Sequence, residues 1–159
     1  MKALNKLFVV SLTFLFAACA GIQTIDGDPD NTGGYDKPER TVCDVSFCGF
    51  DSGLLNPDND KRSYYKVFID KSEVGRTTIG LESQKKFFEI ELPVNRHLLS
   101  VEKWALNEKT GSYEKLNNVH QPKPAYCYFE AGGRQPVSIT MEVLANNRAV
   151  FTIVGQNDE

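Results

Sequence analysis

Four cysteines and two histidines are the side chains of this chain best suited to covalent, redox or acid–base work. In an oxidising compartment Cys43, Cys48 and Cys127 would be expected to pair, yet three thiols cannot all pair within one chain. Cys43 and Cys48 are close enough in sequence for a small loop, whereas either of them with Cys127 would staple the early chain to a late strand. A bridge closing a loop of about 80 residues removes roughly 4 to 5 kcal/mol of unfolded-state entropy, which makes the long-range bridge the stronger expectation. The three show neither a Cys-x-x-Cys spacing nor a neighbouring histidine, so no metal is expected on them. Hydrolytic triads need a base beside the nucleophile, and only His97 and His120 are available. Neither lies in a nucleophile elbow, and the chain has no glycine-rich phosphate loop and no His-x-x-x-His pair. The expectation is therefore a protein with no catalytic residues and no cofactor.

The remaining cysteine, Cys19, has a different setting. Met1, Lys2 and Lys6 open a short basic region, followed by the twelve-residue apolar run Leu7–Ala18. A membrane-spanning helix needs about 20 apolar residues to cross a hydrocarbon core of about 30 Å, so this run is too short to span. A basic start, a short apolar stretch and small residues at its end are the pattern of an export signal that is removed. Phe16-Ala17-Ala18-Cys19 resembles the lipobox of bacterial lipoproteins, although an aliphatic residue is more usual at the position of Phe16. The resemblance implies cleavage between Ala18 and Cys19 and a diacylglycerol thioether on the Cys19 sulfur. An ordinary signal with an Ala-x-Ala-like site is the alternative and would leave a soluble periplasmic β domain. In a Gram-negative host, Ala20 in place of an aspartate favours the outer membrane.

Cleavage there leaves about 140 of the 159 residues, enough for one core, and moves the formal charge from −3 to about −5. An acidic chain without clustered Lys and Arg is not expected to bind nucleic acid. From Ile22 to Arg40 the sequence is polar, rich in Gly, Asp, Pro and Asn, and without periodicity, so it reads as a spacer. Asp26, Asp28 and Asp30 begin like a calcium loop, but Asn31 and Lys37 stand where its glycine and bidentate glutamate belong. The organisation expected is a signal peptide over 1–18, a lipidated cysteine and linker over 19–40, and one β domain over 41–159.

Past Thr41 the signal becomes short runs of aromatic and β-branched residues separated by turn formers. Thr41 to Phe47 reads as a strand, Gly49 to Asp60 as a loop, and Ser63 to Asp70 as a strand with Tyr65, Val67 and Ile69 on one face. Val74 to Leu81, Lys86 to Leu92, His97 to Leu106, Ser112 to Leu116 and Ala125 to Phe129 follow. Last come Val137 to Val143, a two-residue turn at Asn146-Asn147, and a return over Arg148 to Val154. Glu89 and Glu91 alternate with apolar residues and should face solvent. Seven to nine short strands without a helical stripe predict an all-β, small antiparallel β-sandwich of immunoglobulin or transthyretin type.

Two stretches within this pattern, Ile69-Asp70-Lys71-Ser72-Glu73-Val74-Gly75-Arg76-Thr77 and Leu92-Pro93-Val94-Asn95-Arg96-His97, resemble PEGA-like surface domains and related short bacterial envelope lipoproteins. The strands of those domains read I-D-G-x-x-V-G-x-T and L-P-x-G-x-H. Here Lys71 and Asn95 occupy the usual glycines and Thr78 the usual proline. The resemblance covers about residues 65 to 105 and implies a small envelope β-sandwich without known catalysis, in which Asp70, Gly75, Pro93 and Asn95 form turns. Three functions are compatible with these features. The first is a non-enzymatic envelope lipoprotein, held at the membrane by its lipid and interacting with another envelope protein or peptidoglycan. The others are a small-molecule or lipid-binding periplasmic carrier and an unanchored periplasmic domain. Trp104, Tyr113, Tyr126 and Tyr128 are the aromatic contact candidates.

Overall fold

Period-two alternation decides which face of each strand turns inward, and the buried rows follow it closely. The structure, a computed structural model, describes residues 41–54, 56–132 and 135–155. It contains β1 (Val42–Asp51), β2 (Arg62–Ile69), β3 (Ser72–Arg76), β4 (Gly80–Leu81) and β5 (Lys86–Pro93). After these come β6 (Asn95–Asn107), β7 (Ser112–Lys115), β8 (Tyr126–Ala131), β9 (Val137–Val143) and β10 (Ala149–Val154). One sheet has the order β10-β9-β1-β5; the other has the order β3-β2-β6-β7, with β4 added to β2 and β8 to β6. The two pack as a small sandwich, as the sequence led us to expect.

One pairing departs from the antiparallel rule: β1 and β9 run parallel, with Val45 opposite Val137 and Asp51 opposite Val143. Parallel neighbours cannot be joined by a hairpin and need a long crossover, which the chain between β1 and β9 supplies. The centre is filled. Tyr65, Val67 and Ile69 of β2, Leu99 and Val101 of β6 and Phe129 of β8 belong to one buried cluster with Val45 and Phe47 of β1. Val137, Ile139, Met141 and Val143 of β9 complete it. Each large apolar side chain so buried contributes about 1.5 to 3 kcal/mol of transfer free energy.

Three local expectations needed correction. β1 does not stop before Gly49 but continues to Asp51, because a side chain at Gly49 would sit 2.9 Å from the Tyr65 ring, and glycine lets that ring lie against the strand. The segment Val74 to Leu81 divides in two. Thr77 hydrogen-bonds Tyr65 of β2 through its backbone N–H at 2.9 Å, whereas Thr78 donates to Phe87 of β5 at 2.9 Å. The chain therefore bridges the edges of both sheets there and cannot run straight. Finally, Asn146 and Asn147 both have φ of 60°, but the connection is a three-residue loop, Ala145–Asn147, closed by the Leu144 amide donating to Arg148 at 2.7 Å.

Candidate functional site

Three strands carry a charged residue in their inward rows at the same end of the sandwich. On β1 the row Cys43, Val45, Phe47, Gly49 ends at Asp51, and on β6 the row Leu99, Val101 leads to Lys103. On β5 the inward row begins at Lys86, which lies opposite Gly49. Lys86 and Lys103 are 0% and 3% exposed, and Asp51 and Glu82 are also buried. Charges sunk this deep require partners.

The partners are present. The Tyr65 hydroxyl donates to Asp51 Oδ1 at 2.6 Å, and the Lys103 ammonium donates to Asp51 Oδ2 and stands 3.3 Å from Glu82 Oε2. Gln121 holds the backbone of Lys103 on both sides, accepting its N–H at 2.7 Å and donating to its carbonyl at 3.0 Å. The Gln121 amide also donates to the Leu116 carbonyl at 2.7 Å. Lys86 donates to three carbonyls of the turn before β5, those of Leu81, Glu82 and Gln84, at 2.8 to 2.9 Å. Burial pushes the Lys86 ammonium down to about 8, with Asp51 opposing the shift. Burial also raises the Glu82 carboxyl, and Lys103 counters part of that rise.

Beside this network opens a pocket of about 380 Å³, bounded by Asp51 and Val143 of one sheet and by Lys103 and Ala105 of the other. Glu82, Leu54, Leu116, His120 and Asn146 also line it. Sequence reasoning placed His120 in a loop and missed the network, although the inward parity of Lys103 with Leu99 and Val101 was a readable signal.

Of the turn residues named from sequence, Asp70 and Pro93 meet at the opposite end of β6. Asp70 and Lys71 have φ of 50° and 71° between the paired Ile69 and Ser72, the geometry of a type I′ hairpin. The Asp70 carboxylate accepts the Leu98 N–H at 2.9 Å and lies 2.7 Å from His97 Nδ1, while His97 Nε2 lies 2.9 Å from the Pro93 carbonyl. Both ring nitrogens thus face acceptors, an arrangement that imidazolium satisfies completely. Burial alone would lower the His97 pKa, but these two hydrogen bonds outweigh it and hold the group above its ordinary value. The Leu98 N–H and His97 together draw the Asp70 carboxyl down.

Gly75 has φ of 155°, and a side chain there would meet the Phe88 ring at 2.7 Å. Asn95 differs from the turn role expected of it. It is the first residue of β6, paired with Ala131, and is absent from the positive-φ positions among the described residues.

Cys43, Cys48 and Cys127 are free thiols, so neither pairing expected from sequence is present. For Cys43 and Cys48 the reason is geometric. They lie five residues apart on one continuous strand, at about 3.3 Å per residue, and point to opposite faces. Cys43 is buried with its thiol 3.7 Å from the Gln135 carbonyl, whereas Cys127 packs on the core from β8 of the other sheet. Burial raises Cys48 and pushes Cys127 up to about 12, so neither is set up as a thiolate nucleophile. Among the described residues no group of three or more His, Cys, Asp or Glu side chains is arranged to hold a metal. Ala18 and Cys19 lie outside the described residues.

The aromatic candidates divide. Trp104 stacks on Tyr64 with ring centres 6.1 Å apart and Lys66 above it at 4.8 Å, and Tyr113 leans on Tyr64 at 5.3 Å. Those rings pack on one another, although the buried Trp104 Nε1 finds no hydrogen-bond partner among the described residues. Tyr126 and Tyr128 of β8 are more than half exposed and remain open for contact. Comparison of the chain with protein-family models, with curated proteins and with solved structures finds no significant match.

Proposed function

We propose that the protein is a membrane-anchored envelope lipoprotein, lipidated at Cys19, whose β-sandwich is a non-enzymatic interaction module contacting another envelope protein or peptidoglycan. The observation that carries this reading is the run Leu7–Ala18 ending in Phe16-Ala17-Ala18-Cys19. One acyl chain holds only marginally, and two or three hold stably, so a diacylglyceryl cysteine suffices to retain an otherwise water-compatible domain. Among the described residues no helix is long and apolar enough to cross a membrane. The packed centre supports an interaction role over a lipid carrier, since the buried side chains of both sheets occupy the space that an acyl chain would need. Exposed Tyr126 and Tyr128, with Arg96 above the Tyr128 ring at 5.0 Å, offer a contact surface on β8.

Intact-mass spectrometry of the protein from bacterial membranes tests the reading. The expected product lacks the first 18 residues and carries diacylglycerol on Cys19. A chain beginning elsewhere, or an unmodified Cys19, would overturn it.

A further inference from the structure

We propose that the pocket beside the Asp51–Lys103–Glu82 network binds one neutral, hydroxyl-rich ring of sugar size. The floor has unused capacity of both kinds. Asp51 commits one oxygen to the Tyr65 hydroxyl and the other to Lys103. Glu82, only 8% exposed, faces Lys103 with Oε2, and its Oε1 makes no hydrogen bond among the described residues. Lys103 has three N–H donors, of which Asp51 and Glu82 occupy two. An acceptor and a donor therefore sit side by side at the base of a cavity of about 380 Å³.

The charge balance selects against simple ions. The buried carboxylates Asp51 and Glu82 are matched by the buried Lys103 and by Lys86 behind them, with Lys61 exposed at the rim, so an anion meets two carboxylates and a cation meets ammonium groups. A hydroxyl both donates and accepts, and can answer Glu82 and Lys103 together without bringing a charge into a site already in balance. The aliphatic walls, Leu54, Leu116 and Val143, suit the C–H face of a pyranose rather than a fully polar solute.

The rim is fixed before any ligand arrives. Asn147 Nδ2 donates to the Val119 carbonyl at 3.0 Å, and the backbone of Ala145 lies where a side chain on Gly53 would stand, 2.2 Å from the Cβ position. Asn146, held at φ of 60°, also lines the opening. Such preorganisation lowers the ordering cost of binding. The inference deepens the envelope reading by naming the chemistry of a partner, and it rests on that reading only for the source of the sugar.

The test is titration of the full-length, ¹⁵N-labelled protein with N-acetylglucosamine and, separately, with methyl glucoside, sodium acetate and ethylammonium chloride. Saturable amide shifts at Leu54, Asn59, His120 and Asn146 are expected with at least one of the two sugars, and none with the two ions. N146G, a change the left-handed backbone accommodates, is expected to weaken binding about fivefold, the loss of one hydrogen bond, with no fall in melting temperature. E82Q is expected to weaken it as well, and if that variant does not fold the decision rests on N146G. Absence of saturation by either sugar up to about 50 mM, a limit above the millimolar affinities expected of a single small ligand, would overturn the proposal. So would saturation by either ion, or undiminished binding by N146G. A chain that binds sugar but lacks the lipid would count against the anchor alone, and a lipidated chain that binds none would count against the pocket alone.

Discussion

The two ends of β6 each bury a basic side chain against a carboxylate, and they do it with opposite consequences. Near the start of the strand, His97 meets Asp70, whose side chain is 54% exposed. Near its end, Lys103 meets Asp51 and Glu82, whose side chains are 7% and 10% exposed. Water screens the first pair, so it works as a pH-sensitive brace between a hairpin turn and a strand. The second is largely shielded from bulk solvent, and each member is held by the others and by Tyr65 and Gln121. Burial, more than the number of contacts, sets how much each end depends on its partners.

Removing a partner from the buried end should have the largest effect. Lys103→Met leaves Asp51 and Glu82 together without their shared cation, and the expected loss is about 3 to 5 kcal/mol, read as a fall in the urea midpoint. A loss below about 1 kcal/mol, the range of exposed pairs, would place this end in the same class as the other.

At the exposed end the expected loss is smaller and depends on pH. His97 is held above its unfolded value of about 6.5, so its contribution is fully present below that pH and fades as pH rises through the folded value. Asp70 is held below its ordinary value, so its contribution is present above about 4 and fades as pH falls through its lowered value. His97→Gln should therefore cost up to about 1 kcal/mol near pH 5 and less near pH 8. Thermal melts at the two values check the sign, and a larger loss at pH 8 would contradict it.

The smallest effect expected is a gain. Lys71 holds φ of 71° in the turn that carries Asp70. A non-glycine residue there costs roughly 1 to 2 kcal/mol, and glycine returns some of the benefit as unfolded-state entropy. Lys71→Gly should stabilise the chain by about 0.5 kcal/mol, raising the melting temperature by about 2 °C.

The same contrast explains what could be read from sequence. The exposed end was legible in part because Asp70 forms its turn locally, and the Tyr65, Val67, Ile69 row announced its own face, whereas Gly75 and Pro93, expected in turns, are strand residues paired with Val67 and Val42. Asn95 was misread because a turn residue by type became a strand residue through its pairing with Ala131. The buried network was not legible as a site, because Asp51 and Lys103 lie 52 residues apart and charged residues one at a time read as solvent-facing. Only their parity with apolar neighbours gave them away. The cysteines were misjudged as well: the long-range bridge to Cys127, favoured on loop-closure entropy, is absent, and the alternative Cys43–Cys48 loop fails because an extended backbone carries the two apart and onto opposite faces.

Membrane fractionation of Cys19→Ser beside the parent, expressed in a bacterium that lipidates exported proteins, bears most directly on the anchor. The parent should sediment with membranes and be released by detergent, and the variant should appear in the soluble fraction. A variant that stays with the membranes as firmly as the parent would contradict the account.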